Sequence, residues 1–184
     1  MIIILFLLIL CSLLYYFYAK VIKARNMLNE ALSGIDVQLE KRYEVIPNIL
    51  MIAKKFMTHE KEIFSEITKL RTDAMNAPSG SAEKFNADNA LQDKLKALQI
   101  SVENYPELKS DTTMVQAMKA YQEMEENIAA ARRFYNTALR QLNDVIMIFP
   151  GSLFRGCAGD ISKFAYFETE ASHKKSIKAS DYLK

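Results

Sequence analysis

The chain has 184 residues, half of them hydrophobic and a quarter charged, with a formal net charge of +2. That length fits one compact domain with a segment to spare, and the near-neutral total, with no basic patch interleaved with aromatics, gives no support to a nucleic-acid binder. Five glycines and four prolines are few, and with abundant Ala, Leu, Glu, Lys, Met and Gln they favour helix over sheet.

Residues 2–19 carry no charge and are mostly Ile, Leu, Phe and Tyr. As a helix they extend roughly 27 Å, close to the ~30 Å hydrocarbon core of a bilayer. Tyr15, Tyr16 and Tyr18 stand at one end, where amphipathic rings favour the headgroup layer, and Lys20, Lys23 and Arg25 follow. A cleaved signal peptide calls for a positive charge before the apolar run and small residues after it, and neither is present. A lipoprotein would use Cys11, but Leu10 stands where a small residue is needed. A buried core helix would not normally open a chain ahead of a cationic stop. The favoured reading is an uncleaved transmembrane anchor over residues 1–19. Its positive flank predicts the N-terminus outside and the following domain in the cytoplasm, as a single-pass protein of a bacterial inner membrane.

From Arg25 an apolar stripe runs for about fifty residues, through Leu28, Leu32, Ile35, Leu39, Ile46, Ile49, Ala53, Phe56, Ile63, Ile67, Leu70 and Ala74. Pro47 interrupts it without shifting its phase, which predicts one long helix with a kink there and no stop. Residues 76–81, Asn-Ala-Pro-Ser-Gly-Ser, break it. Ser81 then caps a second helix with Leu91, Leu95, Leu98, Val102 and Tyr105 on one face, ended by Pro106. A third helix starts after Ser110 or Asp111 and carries Met114, Met118, Tyr121, Ile128, Tyr135, Leu139, Leu142, Ile146 and Phe149 before Pro150-Gly151-Ser152. A short helix is expected over residues 161–171, and a basic, loose tail over 172–184. The breakers favour a folded-back bundle over residues 20–171 rather than an extended coiled coil. The fold class is thus all-α: a transmembrane helix followed by an up-and-down bundle of about four long amphipathic helices.

Recognisable chemistry is scarce. His59-Glu60 is not continued to HExxH, because position 63 is Ile. His173 lies in the tail. Carboxylate pairs such as Glu60/Glu62 and Glu125/Glu126 sit among many Lys and Arg, where solvated ion pairs are the commoner outcome than acid–base work. No pair of helices carries Glu-x-x-His, whose single occurrence runs from Glu170 to His173, and no CxxC, GxxxxGK[ST], GxGxxG or GxSxG occurs. Met114, Met118 and Met124 suit core packing better than partner binding. The expectation is no catalytic residue, no cofactor and no metal.

One polar feature stands out. Strict helical stepping carries the apolar seams through Arg42 and Glu60 in the first helix, and through Glu125 and Arg132 in the third. If these four face inward they need partners across the helices. Tyr43, Met57, Met124 and Ala131 are the apolar neighbours that would take the inward slots if each helix rotated slightly and left the charges at the flank.

Several segments together resemble the LemA family. They are Ile35-Asp36-Val37-Gln38-Leu39 with Lys41-Arg42, Ile46-Pro47-Asn48, His59-Glu60 and Tyr105-Pro106-Glu107-Leu108-Lys109. Further along come Glu126-Asn127-Ile128, Ala131-Arg132-Arg133-Phe134-Tyr135-Asn136, Phe149-Pro150-Gly151 and Tyr166-Phe167-Glu168. The sequence departs from the family pattern at Leu142-Asn143, where Tyr-Asn is common, and in its basic tail. The resemblance implies an N-terminal membrane helix and a bundle of about four helices, and it carries no catalytic residues. Function is therefore expected through protein–protein contacts: a membrane-anchored scaffold or adaptor with an unidentified protein partner. The alternative is an accessory factor in envelope stress or membrane proteolysis without catalytic activity of its own, since LemA-like genes often look linked to membrane metallopeptidases. Self-association is a third outcome that the long helices allow.

Overall fold

The computed structural model describes residues 1–167, which are helical with no strand among them. Helix α1 (Ile2–Ala53) is continuous from the N-terminal apolar run into the bundle. Large side chains from Ile2 to Tyr16 are exposed along its first third, and burial begins with Phe17 and Ala19 and is complete at Val21. From there Leu28, Ile35, Leu39, Ile46 and Ile49 form the buried stripe expected of an amphipathic helix.

The helix passes Pro47 without ending. Proline has no N–H, so the Tyr43 carbonyl four residues back loses its helical donor. Arg71 supplies the replacement, donating from Nε to Tyr43 O at 2.6 Å. Arg71→Met is therefore expected to cost about 1–2 kcal/mol in the native chain, and clearly less in a Pro47→Ala background, where the backbone donor is restored. Chemical unfolding of the four members of that double-mutant cycle checks it, and equal losses in both backgrounds would refute the compensation.

The single fifty-residue helix expected from the stripe is corrected here. The chain turns at residues 54–60, and α2 (Lys61–Asn76) runs back along α1. No Gly or Pro marks the turn. The apolar stripe crosses it in phase because both helices face one core, with Met57 buried inside the turn. This hairpin supplies one of the four bundle helices.

After α2, Gly80 adopts a φ of +75°, a region that glycine enters freely. Ser81 Oγ accepts from Lys84 N at 3.1 Å and caps α3 (Ala82–Val102). Pro106 opens a one-turn helix, α4 (Pro106–Ser110). Asp111 Oδ1 accepts from Met114 N at 2.9 Å and caps α5 (Thr112–Met147). α5 packs antiparallel on α1, and α2 on α3.

A 3-10 segment (Gly151–Ala158) follows, packed on both α1 and α5. The helix expected over 161–171 is absent as far as the structure describes it. Residues 164–167 form a strap, and 168–171 and the 172–184 tail lie outside the described residues. The strap is held by side chains of α5. Asn136 donates to Phe167 O and accepts from Phe167 N, both at 3.0 Å, and Tyr135 OH donates to Ala165 O at 3.0 Å. Phe167 stacks on Phe85 and meets Tyr135 edge-on. These bonds to α5 compete with the intrasegment bonds a helix would need.

Candidate functional site: a buried charge cluster across three helices

Arg42 of α1, Asp88 of α3, and Glu125 and Arg132 of α5 meet inside the bundle. Arg42 and Asp88 are fully buried, and Glu125 and Arg132 are partly so. Arg42 Nη1 donates to Glu125 Oε1 at 2.7 Å, while its Nη2 pairs with the Asp88 carboxylate and reaches Asp88 O at 3.2 Å. Arg132 Nη2 donates to the other Asp88 oxygen at 2.6 Å. Tyr43 OH donates to Asp88 Oδ1 at 3.0 Å, and Gln92 Nε2 donates to Glu125 Oε2 at 2.8 Å. Two guanidinium cations thus face two carboxylates, and the cluster is neutral as a whole.

The electrostatics follow from that geometry. Burial alone would favour neutral Arg42, but Asp88 and Glu125 outweigh it and hold the guanidinium charged. The Tyr43 phenol is pushed up by burial and by the Asp88 carboxylate it donates to. Tyr121 is raised by burial and the nearby Glu125 charge, and Tyr135 by burial and then by Asp36. A raised phenol pKa means the folded chain keeps its proton longer than the unfolded chain does. Stability is thus fully present below the ordinary tyrosine value of about 10 and falls as pH rises above it. In an alkaline titration, Tyr43, Tyr121 and Tyr135 are expected to ionise only together with unfolding. Tyrosinate absorbance read beside the helical circular dichroism checks this. Complete ionisation near the ordinary value with helicity intact would contradict it.

Of the four residues on the expected seam, three meet in the cluster. Glu60 does not, because the chain has already turned at residues 54–60. It stands instead at the N-cap of α2 and accepts from Tyr105 OH at 2.5 Å. His59 beside it is exposed. Asp88, the hub of the cluster, was not on the seam read from the sequence. The signal was present, since stepping back from Leu91 by three reaches Asp88 and by three more Phe85, both buried.

The cluster is buried at Arg42 and Asp88 and meets water only at its edge, at Glu125 and Arg132. An open groove of about 870 Å³ at the α1–α2 turn, bordered by Lys54, Met57, Lys61, Phe64, Thr68 and Lys69, is lined by none of its side chains. No group of three His, Cys, Asp or Glu side chains converges as a metal site among the described residues. What the arrangement does chemically is join three helices at one register: each charge has its partner on another helix, and a slip of one turn would strand it.

Fold and cluster together define the class: an up-and-down helical bundle built on an exposed N-terminal apolar helix long enough to cross a membrane. The chain belongs to the LemA family, whose profile matches residues 31–180. It is also similar to two magnetosome proteins of Paramagnetospirillum magneticum, MamQ 1 and MamQ 2. Each is 26% identical over 161 residues, covering 74% of this chain and 59% of the relative. The chain thus spans 59% of the length of these curated relatives.

Proposed function

We propose that this chain is a non-catalytic, membrane-anchored scaffold or adaptor that presents a rigid helical bundle to another protein. The observation that supports it most is α1, a single helix whose exposed apolar part runs without a joint into the bundle core. Such a helix holds a binding surface at a fixed distance from the bilayer. The groove at the α1–α2 turn lies at the far end, and Lys54, Lys61 and Lys69 on its rim suit an acidic partner surface. Asp88 and Arg42, the buried polar groups, are occupied with each other and hold that surface in shape.

The test is crosslinking in membranes from a photoreactive residue at Ser65 in the groove, followed by solubilisation and recovery. A reproducible heterologous partner, lost in a Lys54→Glu, Lys61→Glu, Lys69→Glu variant, supports the adaptor. Recovery of the chain alone overturns it. A membrane peptidase as the captured partner would refine the reading to an accessory of membrane proteolysis, with the chemistry supplied by that partner. We further propose that the bundle lies in the cytoplasm beneath a bacterial inner membrane, on the strength of Lys20, Lys23 and Arg25. Protease added to intact spheroplasts is expected to leave it uncut, and cleavage from outside would reverse the orientation.

A further inference from the structure

The corner that joins α5 to the 3-10 segment exposes four large apolar side chains close together. Met147 is 70% exposed, Ile148 66%, Phe149 75% and Leu153 65%. Scattered apolar residues on a surface are ordinary, but a contiguous group marks a contact. Its position in the fold says with what. Ile148, Phe149 and Gly151 line one small cavity together with Phe17 and Lys20 of α1, with Asp144 its one acidic member. The Tyr18 ring is edge-on to Phe154 of the 3-10 segment, with centroids 6.1 Å apart. The corner therefore sits level with residues 17–20, where the exposed apolar run of α1 ends.

We propose that residues 147–153 are a second membrane contact, seated in the headgroup layer of the bilayer that the N-terminal part of α1 crosses. The inference rests on the reading of that helix as an anchor. A span that ends at Tyr18 brings this corner to the bilayer surface, because the headgroup layer is only about 5–7 Å deep on each side. The side chains are of the kind that settles there: Phe149, Ile148, Met147 and Leu153 for the acyl boundary, with exposed Lys20, Lys23, Arg25 and Arg155 around them for lipid phosphates. The bundle then stands on two feet, the anchor and this corner, and its orientation on the membrane is fixed.

The chain contains no tryptophan, so single introduced tryptophans report without background. The full chain is reconstituted in phosphatidylcholine–phosphatidylglycerol vesicles as Phe6→Trp, Phe149→Trp or Met51→Trp. Each is read with iodide in the water and with lipids spin-labelled at the headgroup or deep in the acyl chain. Phe149 and Met51 are both exposed, so neither change disturbs packing. Phe6→Trp is expected to be quenched by the deep label and Met51→Trp by iodide alone. Phe149→Trp is expected to be quenched by the headgroup label and several-fold less by iodide than Met51→Trp. If Phe6→Trp behaves as expected while Phe149→Trp matches Met51→Trp, the second contact is overturned and the anchor stands. Protection of Phe149→Trp from iodide without quenching by either lipid label means that protein covers the corner, which also overturns it. If Phe6→Trp itself is quenched by iodide, the anchor falls and the second contact with it.

Discussion

Asp88→Ala is expected to cost the folded chain about 3–5 kcal/mol, because it leaves the buried Arg42 guanidinium and the partly buried Arg132 guanidinium without their shared acceptor. Asp88 accepts from Arg42, Tyr43 and Arg132, which belong to two different helices. Arg42→Ala should cost a similar amount, since it takes from Asp88 and Glu125 the cation between them, leaves two carboxylates facing one guanidinium, and opens a cavity. Glu125 and Arg132 are partly exposed at the edge of the cluster, so water compensates in part. Their alanine variants should lose about 1.5–3 kcal/mol, the range for hydrogen bonds to charged groups. Thermal unfolding of the full chain in detergent checks the order, and losses below about 1 kcal/mol at Asp88 would mean that the cluster is solvated in solution. Replacing all four together, Arg42→Met, Asp88→Leu, Glu125→Met and Arg132→Leu, is expected to recover most of the loss, since well-packed apolar side chains often substitute for a buried ion cluster at little net cost. That recovery would identify the cluster as a device for choosing register rather than for adding stability.

Gly151→Ala is the second large effect. A methyl group built on Gly151 would lie 2.0 Å from the Val145 carbonyl oxygen, a backbone atom that cannot swing away. Either α5 or the 3-10 segment must move, and overpacking of this kind costs about 1–3 kcal/mol. Gly156, in the same segment, has nothing near its missing Cβ. Gly156→Ala is therefore expected to stay within about 0.5 kcal/mol of the native chain. Melting temperatures compare the two directly, at about 2–4 °C per kcal/mol for a chain of this size. Equal behaviour of the two variants would show that the corner gives way freely.

Much of this architecture was legible in the sequence, for local reasons. The breaker cluster at 76–81, the caps at Ser81 and Asp111, and Pro106 all act through their own backbone, so their signals are short-range. Arg42, Glu125 and Arg132 stand out in the sequence because they interrupt otherwise apolar seams, a pattern that fits an inward and a flanking placement alike. What was not legible depended on distant partners. The turn at residues 54–60 carries no glycine or proline and keeps the stripe in phase, so the pattern read straight through it. The same continuity places Glu60 on the seam of α1 in the sequence although it belongs to the start of α2. Asp88 lies one turn before Leu91, where the apolar stripe of α3 begins, and a lone carboxylate there reads as surface until its partners on α1 and α5 are known. The strap over residues 164–167 depends on Asn136 and Tyr135, thirty residues away, and Arg71 relieves Pro47 from a different helix.

The absence of a joint in α1 has a mechanical consequence. Beyond Lys20 the helix continues for 33 residues to Ala53, a stiff arm of about 50 Å. Transmembrane helices are tilted by about 20° on average, and tilting is one way a span longer than the local hydrocarbon core is accommodated. With no hinge to absorb the angle, a tilt of that size swings the far end of the arm sideways by about 17 Å. On the proposed reading of residues 2–19 as the anchor, that is the sideways play the groove at the α1–α2 turn would have if the anchor alone held the chain, and it is the motion that the proposed second contact at residues 147–153 would restrain.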